Sequence, residues 1–195
     1  MNSPISLPHV LGVDLYHGDG DVSFHALAAA GVQFVIAKAT QGLHMVDPMY
    51  EIYRERAKAM GLLFGAYLFL NPSEDSEAQV DFFLATAKPI PGDLIPTIDS
   101  ETPSDSLESS TLAACRAIKA EIGRYPFLYS SDSMLQMMPQ SCAVSTVWAA
   151  RYGHLPTTPH AIWQFSESES IAGIPHGLDA DVFSGDLAAL KVHTL

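Results

Sequence analysis

The fold class is decided by residues 34–70, which read FVIAKA at 34–39, DPMYEIYRERAKAMG at 47–61 and LLFGAYLFL at 62–70. The two outer segments are short apolar runs, which are typical of strands buried on both faces. The middle segment predicts a helix with Asp47 as N-cap and Pro48 in its first turn, because helical spacing separates Tyr50, Tyr53, Ala57 and Met60. Strand, helix and strand in this order predict two parallel strands joined by a crossover helix.

The same alternation continues on both sides of this segment. Residues 10–14 predict a first strand, and Phe24 opens a short helix that is capped by Ser23 and ended by Gly31. After residue 70, apolar periodicity predicts two more helices around residues 80–87 and 115–122. Further strands are predicted at 94–101, 127–130, 144–150, 161–166 and 178–183.

The total is eight strands and only about five helices, with helices missing in the last third. Eight parallel strands with crossover helices favour closure into a barrel, and a complete eight-fold barrel takes about 250 residues. At 195 residues the chain is shorter than that, so some helices must be absent. We therefore predict an α/β fold, a modified (β/α) barrel. Residues 1–195 would form a single catalytic domain with an N-terminal extension at 1–9 and no separate wall-binding module.

Composition and charge exclude several classes of partner. The chain is 48% apolar and 16% charged, so it can build a core and is not disordered. Its 10 basic and 22 acidic residues give a net charge of −12, which argues against nucleic acid and against anionic membrane surfaces. No signal peptide or membrane-spanning segment is visible, so we expect export by lysis or by a dedicated route, and a monomer. Cys115 and Cys142 are predicted to be free thiols.

Barrel enzymes carry their chemistry at the carboxyl ends of the strands, where the loops converge. Acids, amides and aromatic residues are concentrated at those ends in this sequence, which is unusual for a purely structural barrel. The candidates are Asp14, Lys38, Tyr67, Asp99, Glu101, Tyr129, Trp148, Gln164, Asp179 and Asp181.

The sharpest candidate is the sequence Asp99-Ser100-Glu101. Strand side chains alternate between faces, so Asp99 and Glu101 should point the same way, with Cα atoms about 6.6 Å apart. Two neighbouring acids repel when both are ionised, so one pKa rises and that acid keeps a proton near neutral pH. Glycosidic cleavage needs such a proton donor. Glu101 has the longer reach and is the predicted acid, with Asp99 assisting.

Structural interpretations compete with these functional ones. Asp99 and Glu101 could belong to a solvated acidic turn, and Asp14 could cap the following helix. Asp179 and Asp181 could lie on an edge strand, and Trp148 could simply fill the core. His17 lies near Asp19 and Asp21 but lacks the calcium-loop pattern, so a turn is predicted there. No zinc-protease, phosphate-loop or dinucleotide motif is present.

Taken in order, the segments resemble glycoside hydrolase family 25, the N-acetylmuramidase lysozymes. The resemblance covers about residues 10–190 and rests on many short stretches. They are GVD at 12–14, FVIAKATQG at 34–42, VDP at 46–48, GAYLF at 65–69, DSE at 99–101, PFLY at 126–129, VWAARY at 147–152, IWQF at 162–165 and GLDADVF at 177–183.

The resemblance implies a modified barrel of eight strands and about five helices. It implies hydrolysis of the β-1,4 bond between N-acetylmuramic acid and N-acetylglucosamine in the glycan strand of peptidoglycan, without a metal or other cofactor. Glu101 matches the catalytic acid/base, Asp99 the assisting carboxylate, and Asp14 and Asp179 the other two active-site acids. Substrate-binding positions are expected at Tyr67, Trp148 and Gln164, and more loosely at Lys38, Tyr129 and Asp181. The 2-acetamido group of the substrate suggests substrate-assisted attack.

Three places depart from the family pattern, which commonly has Glu at the position of Gln41 and His at that of Leu68; the stretch LYH at 15–17 is also atypical after the first Asp. None of them removes a core carboxylate, so catalysis is still expected, but substrate preference could change. The alternatives are a catalytically inactive peptidoglycan-binding barrel and a hydrolase of another N-acetylated polysaccharide such as chitin. A phage lysin, a delivered effector and an autolysin are all compatible with the sequence.

Overall fold

The computed structural model describes residues 8–195, so most of the predicted extension at 1–9 lies outside the described residues, and His9 already belongs to the first strand. The strands are β1 His9–Leu15, β2 Val32–Gln41, β3 Met45–Val46, β4 Leu63–Phe69, β5 Thr97–Asp99, β6 Phe127–Ser131, β7 Thr146–Ala150, β8 Ile162–Glu169 and β9 Leu178–Ser184. The α-helices are α1 Phe24–Ala29, α2 Tyr50–Ala59, α3 Ser76–Ala87, α4 Leu107–Ile122, α5 Asp132–Leu135, α6 Pro139–Val144 and α7 Leu187–Lys191.

The strands close into a mixed barrel, which confirms the predicted fold class. Their order is β1-β9-β8-β7-β6-β5-β4-β2, β1 pairs with β2 to complete the ring, and β3 forms a hairpin with β2. Strand β9 is antiparallel to both of its neighbours, whereas the other barrel pairs are parallel. The sequence did not reveal this reversal, because a buried antiparallel strand has the same apolar pattern as a parallel one.

Local differences from the predicted elements have simple causes. The fourth predicted strand, at 94–101, is ordered as a strand only over Thr97–Asp99. Asp47 is not the N-cap of α2; it accepts a hydrogen bond from the amide of Met49, and the helix begins at Tyr50. Residues 8–195 hold seven α-helices rather than about five. The three in the last third have only four to six residues each, too short to leave a helical period in the sequence.

Side-chain alternation sorts each strand into two faces. In β2, Phe34 and Ile36 point into the barrel, while Val35 and Ala37 pack under the helices. Gly12 lies beside the Phe34 ring, and a Cβ at this position would collide with that ring. The missing side chain therefore allows a phenylalanine to fill the barrel centre.

The C-terminal segment closes one mouth of the barrel. The amide of Ile95 donates to the His193 carbonyl at 2.9 Å, and the amide of Gly92 donates to the Leu195 carbonyl at 3.0 Å. The His193 ring packs against Phe127 and Phe183, with centroids 5.4 and 5.8 Å apart. Covering this mouth leaves the opposite one, at the carboxyl ends of the parallel strands, for binding. Within residues 8–195 no helix combines the length and apolarity needed to cross a membrane.

Candidate active site

The predicted strand-end residues lie at the uncovered mouth. They are on the same strand faces as the residues that point into the barrel. Asp14 follows Gly12 on β1, Lys38 follows Ile36 on β2, and Gln164 follows Ile162 on β8. Charge interactions confirm that the acids are close together, since Asp14, Asp99 and Glu101 all act on the pKa of Tyr129. Glu101 likewise acts on the pKa of Asp179. Barrel closure thus brings all four predicted catalytic acids to one place.

The carboxyls of Asp99 and Glu101 lie within hydrogen-bond reach of each other and form a carboxyl pair. Asp99 is 5% exposed, and no donor from residues 8–195 reaches its Oδ1, whereas Glu101 is half-buried. Burial raises the pKa of both carboxyls, and the charge of Glu101 raises the pKa of Asp99 further. A hydrogen bond between two carboxyls requires a proton, so the pair can hold one near neutral pH. The solvated acidic turn is excluded for these two residues.

Lys38 supplies a positive charge beside this pair. Its ammonium donates to Gln41 Oε1 at 2.6 Å and lies 4.6 Å from the centroid of the Phe69 ring. Burial lowers the pKa of Lys38, and the charges of Asp99 and Glu101 oppose that shift. The lysine therefore favours the ionised forms of both carboxyls, which limits the rise in their pKa values.

Ser100 holds the backbone between the two acids in place, and no pattern in the sequence pointed to this role. Its amide donates to the Tyr129 carbonyl at 3.0 Å, and its own carbonyl accepts from Ser130 Oγ at 2.6 Å. Its hydroxyl lies 2.7 Å from the hydroxyl of Thr111 on α4. Because β5 ends at Asp99, these contacts, rather than strand alternation, hold Glu101 over the mouth.

Asp14 is held by an amide whose orientation is fixed. Gln164 Oε1 accepts from the hydroxyls of Tyr129 and Tyr152, both at 2.9 Å. The Nε2 group of Gln164 therefore faces Asp14 and donates to its Oδ2 at 2.7 Å. Tyr152 was not among the predicted site residues. Tyr152 as a whole is 44% exposed, while its hydroxyl is bonded to the buried Gln164.

Strand β9 places two further acids at the mouth from its amino end, because it runs antiparallel. Asp179 pairs in register with Asp14, and Asp181 pairs with Gly12. Burial, together with the charges of neighbouring acids, raises the pKa of Asp179 to about 7. The pKa of Asp181 is also raised, mainly by burial. The edge-strand interpretation is excluded, since β9 has a partner on each side.

Three predicted substrate-binding residues are too buried to offer a surface to a ligand. Trp148 is 1% exposed, and Gln164 and Asp181 are 0% exposed. The Trp148 indole donates to Asp181 Oδ1 at 2.8 Å, and its ring packs edge-on against Tyr129 at 4.6 Å. These side chains support others at the mouth. Tyr67 and Tyr129 are each 8% exposed and Lys38 is 7% exposed, so each offers only a small part of its surface to a ligand.

A cavity of about 660 Å³ opens beside the carboxyl pair. Thr102, which directly follows Glu101, forms part of its wall, together with Phe69 at the end of β4. The opposite wall is the β2–β3 hairpin, and Asn71 and Glu74 contribute polar groups. The volume falls within the range of sites for small ligands such as sugars.

The remaining polar clusters are structural. The His17 ring bonds Asp47 at 2.8 Å, and the Tyr16 amide donates to Asp19 at 2.8 Å, so this stretch is the predicted turn. Cys115 and Cys142 are free, as predicted. Among residues 8–195, no group of three or more His, Cys, Asp or Glu side chains has the arrangement of a metal site.

Two curated relatives with similar sequences are lysozymes by name. The autolytic lysozyme of Clostridium acetobutylicum is 30% identical over 180 residues, which cover 89% of this chain and 55% of that protein. Lysozyme M1 of Streptomyces globisporus is 27% identical over 215 residues, covering 96% of this chain and 72% of that protein. This chain thus spans little more than half the length of the autolytic lysozyme.

Solved structures share the fold over nearly the whole chain. The bacterial lysozyme from Streptomyces coelicolor superposes with a TM-score of 0.88 at 24% identity, covering 95% of this chain and 96% of that one. A muramidase from Trichobolus zukalii superposes with a TM-score of 0.84 at 25% identity, covering 95% and 98%. The family model described as glycosyl hydrolases family 25 matches residues 13–174, and this chain belongs to that family.

Proposed function

We propose that this chain hydrolyses the glycan strand of peptidoglycan at the β-1,4 bond between N-acetylmuramic acid and N-acetylglucosamine. The observation that carries the proposal is the closely spaced carboxyl pair of the buried Asp99 and the half-buried Glu101 at the mouth of a family 25 barrel. Glycoside hydrolysis needs a carboxyl group that keeps a proton at working pH, and this pair has one to give. Asp14 and Asp179 surround the same mouth, and their charge suits an electron-deficient sugar ring in the transition state.

In the proposed reaction, Glu101 protonates the oxygen that leaves the anomeric carbon. Glu101 is the more exposed of the pair, so the shared proton reaches the substrate through it. Asp99 accepts from the substrate's acetamido N–H, and the acetamido oxygen attacks the anomeric carbon as the glycosidic bond breaks. Water then opens the cyclic intermediate and gives its proton to Glu101, which restores the starting state.

The cavity beside Thr102 is the proposed site for a sugar next to the scissile bond. Its lining is both polar and apolar, as an N-acetylated pyranose requires, because the ring faces are apolar and the substituents polar. Asn71 and Glu74 offer hydrogen-bonding groups, and Phe69 offers an apolar surface. Lys38 and Gln41 stay bonded to one another at the near edge of this cavity.

The described barrel is proposed to act as one catalytic unit, a monomer working outside the cell or in the cell envelope, where its substrate lies. Its net charge of −12 disfavours approach to anionic wall polymers at low salt. We therefore expect activity on walls rich in anionic polymers to increase when moderate salt screens this repulsion. Gel filtration coupled to light scattering tests the monomer.

Product analysis on purified peptidoglycan tests the function. We expect new reducing ends that are N-acetylmuramic acid, identified by borohydride reduction and mass spectrometry. Reducing N-acetylglucosamine ends, or cleavage of chitin oligosaccharides with intact peptidoglycan, would assign a different bond or polymer. Wall binding without any released reducing end would instead identify an inactive binding barrel.

A further inference from the structure

Asp181 is a completely buried acid with a specific set of contacts. Its side chain lies inside the barrel, and its Oδ1 accepts from the Trp148 indole at 2.8 Å. No N–H or hydroxyl donor from residues 8–195 reaches its Oδ2. Asp181 pairs in register with Gly12, two residues before Asp14 on the same face of β1, so the two acids are diagonal neighbours on adjacent strands. Their carboxyls are within hydrogen-bond reach of each other.

The neighbouring donors cannot supply the proton that this contact needs. Gln164 Oε1 already accepts from two tyrosine hydroxyls, so its amide hydrogens are directed at Asp14 Oδ2. Trp148 is likewise fixed on Asp181. Each carboxyl therefore has one immobile donor, and the contact between the carboxyls is stable only if a hydrogen lies between them.

The charged surroundings also favour a single negative charge on the pair. Asp179 is the other charged group that acts on both Asp14 and Asp181, and its charge opposes ionisation of each. Tyr67, Tyr129 and Tyr152 also sense the charge of Asp14, and all three pKa values lie above the ordinary value, so these hydroxyls are neutral. Within residues 8–195, no lysine or arginine forms an ion pair with either carboxyl. Two adjacent negative charges, with Asp181 fully buried and no cation paired to either, would be unfavourable.

We propose that Asp181 is a positioning residue that shares one proton with Asp14. The pair then carries a single negative charge, and the partly exposed Asp14 carboxyl is held in one orientation facing the substrate. Asp181 does not touch the sugar; it acts through Asp14, while Trp148 fixes its other oxygen. The consequence for catalysis rests on the proposed function, whereas the shared proton does not.

Infrared spectroscopy tests the shared proton independently of activity. The protonated-carboxyl C=O band of the wild type is compared at pH 7 with those of Asp181→Asn and Glu101→Gln. We expect each variant to lose a different component, because the asparagine amide replaces the proton between residues 14 and 181. An unchanged protonated-carboxyl band in Asp181→Asn would overturn the proposal.

Kinetics on purified peptidoglycan tests the positioning role. In Asp181→Asn the amide oxygen still accepts from Trp148 and the amide nitrogen donates to Asp14, so we expect kcat within about threefold of wild type. Asp181→Leu removes both contacts, and we expect kcat to fall at least about tenfold with a smaller change in KM. Asp81→Asn, on the exposed face of α3, is the control for loss of one acidic charge.

The outcomes separate this proposal from the proposed function. Wild-type kcat in Asp181→Leu, or a loss in Asp181→Asn as deep as in Asp181→Leu, would overturn the positioning role. A folded wild-type protein without activity on any wall would contradict the proposed function, and the infrared comparison would still decide whether the proton is shared.

Discussion

The hydroxyl groups of Ser100 and Thr111 lie 2.7 Å apart in the buried space between β5 and α4. Thr111 Oγ1 also donates to the Leu107 carbonyl at 2.7 Å, so the Ser100 hydroxyl is the donor to Thr111. This bond links the residue between the two acids of the carboxyl pair to the longest helix of the described chain. The position of Glu101 therefore depends on helix packing as well as on the strand.

Replacing Ser100 tests this link. Ser100→Ala removes the hydroxyl and leaves Thr111 without its donor, so we expect a loss of about 1 kcal/mol in the free energy of unfolding. Glu101 should then be less well placed, and kcat should fall about tenfold with little change in KM. Urea unfolding and wall-hydrolysis kinetics measure the two effects. Ser109→Ala, on the exposed face of α4, is the matched control; equal kinetics in both variants would contradict the prediction.

Removing the acid itself should have a larger effect on activity and a small one on stability. Glu101→Gln keeps the size of the side chain but cannot protonate a leaving group, so we expect activity to fall by about 10²–10⁴-fold. The measurement is the release of reducing ends from purified walls, with circular dichroism to verify folding. Glu77→Gln, exposed on α3, is the control. A fully active Glu101→Gln enzyme would exclude Glu101 as the acid.

The charge of Lys38 should set the pH range of activity. Lys38 lowers the pKa of both Asp99 and Glu101, so Lys38→Met should raise both pKa values. Both limbs of the profile of kcat/KM against pH should then move upward by about one pH unit. Lys191→Met changes the net charge equally at an exposed position on α7. A profile that does not move in Lys38→Met would show that the lysine does not act on the pair.

The cluster of acids should make the protein less stable as pH rises. Asp14, Asp99, Glu101, Asp179 and Asp181 all have raised pKa values, so the folded state binds more protons than the unfolded state above about pH 4. The free energy of unfolding should therefore decrease from about pH 4–5 towards pH 8. For Asp179 alone, the decrease should extend up to its folded pKa of about 7.

Asp179→Asn removes one proton-binding group from this cluster. We expect it to raise the free energy of unfolding at pH 8 by about 1 kcal/mol, after allowing for solvent screening of the half-buried carboxyl. It should also reduce the slope of stability against pH between about pH 4 and 7. Urea unfolding across that range is the measurement. A steeper slope in the variant would contradict the assignment of a raised pKa.

Asp132 has the opposite effect on stability. It accepts from the amides of Thr157 and Thr158 at 3.0 and 2.9 Å, and from Arg151 at 3.2 Å, so its pKa is lowered. We expect Asp132→Ala to cost about 2–3 kcal/mol at pH 7, because several donors lose one shared, buried acceptor. Its contribution is present above the unfolded pKa and is lost on acidification, so the cost should shrink towards low pH. Asp105→Ala is an exposed control.

The order of elements could be predicted because each is encoded locally. Apolar runs identified the barrel strands, and Ser23 caps α1 through a bond from the Ala26 amide, as its residue type predicts. Elements of only a few residues were missed, namely β3, α5, α6 and α7, because they lack enough residues to show a period. The direction of β9 was also not encoded locally, since it depends on which neighbours the strand meets.

The sequence by itself determined which acids the chain carries and on which face of each strand they lie, because alternation depends only on backbone geometry. Only the tertiary structure decided what those groups do to one another. Asp14 and Asp181 are 167 positions apart, and only barrel closure brings them side by side, with Asp181 fully buried. Proton sharing depends on the distance between the two carboxyls and on their desolvation, and neither can be read from the order of residues along the chain.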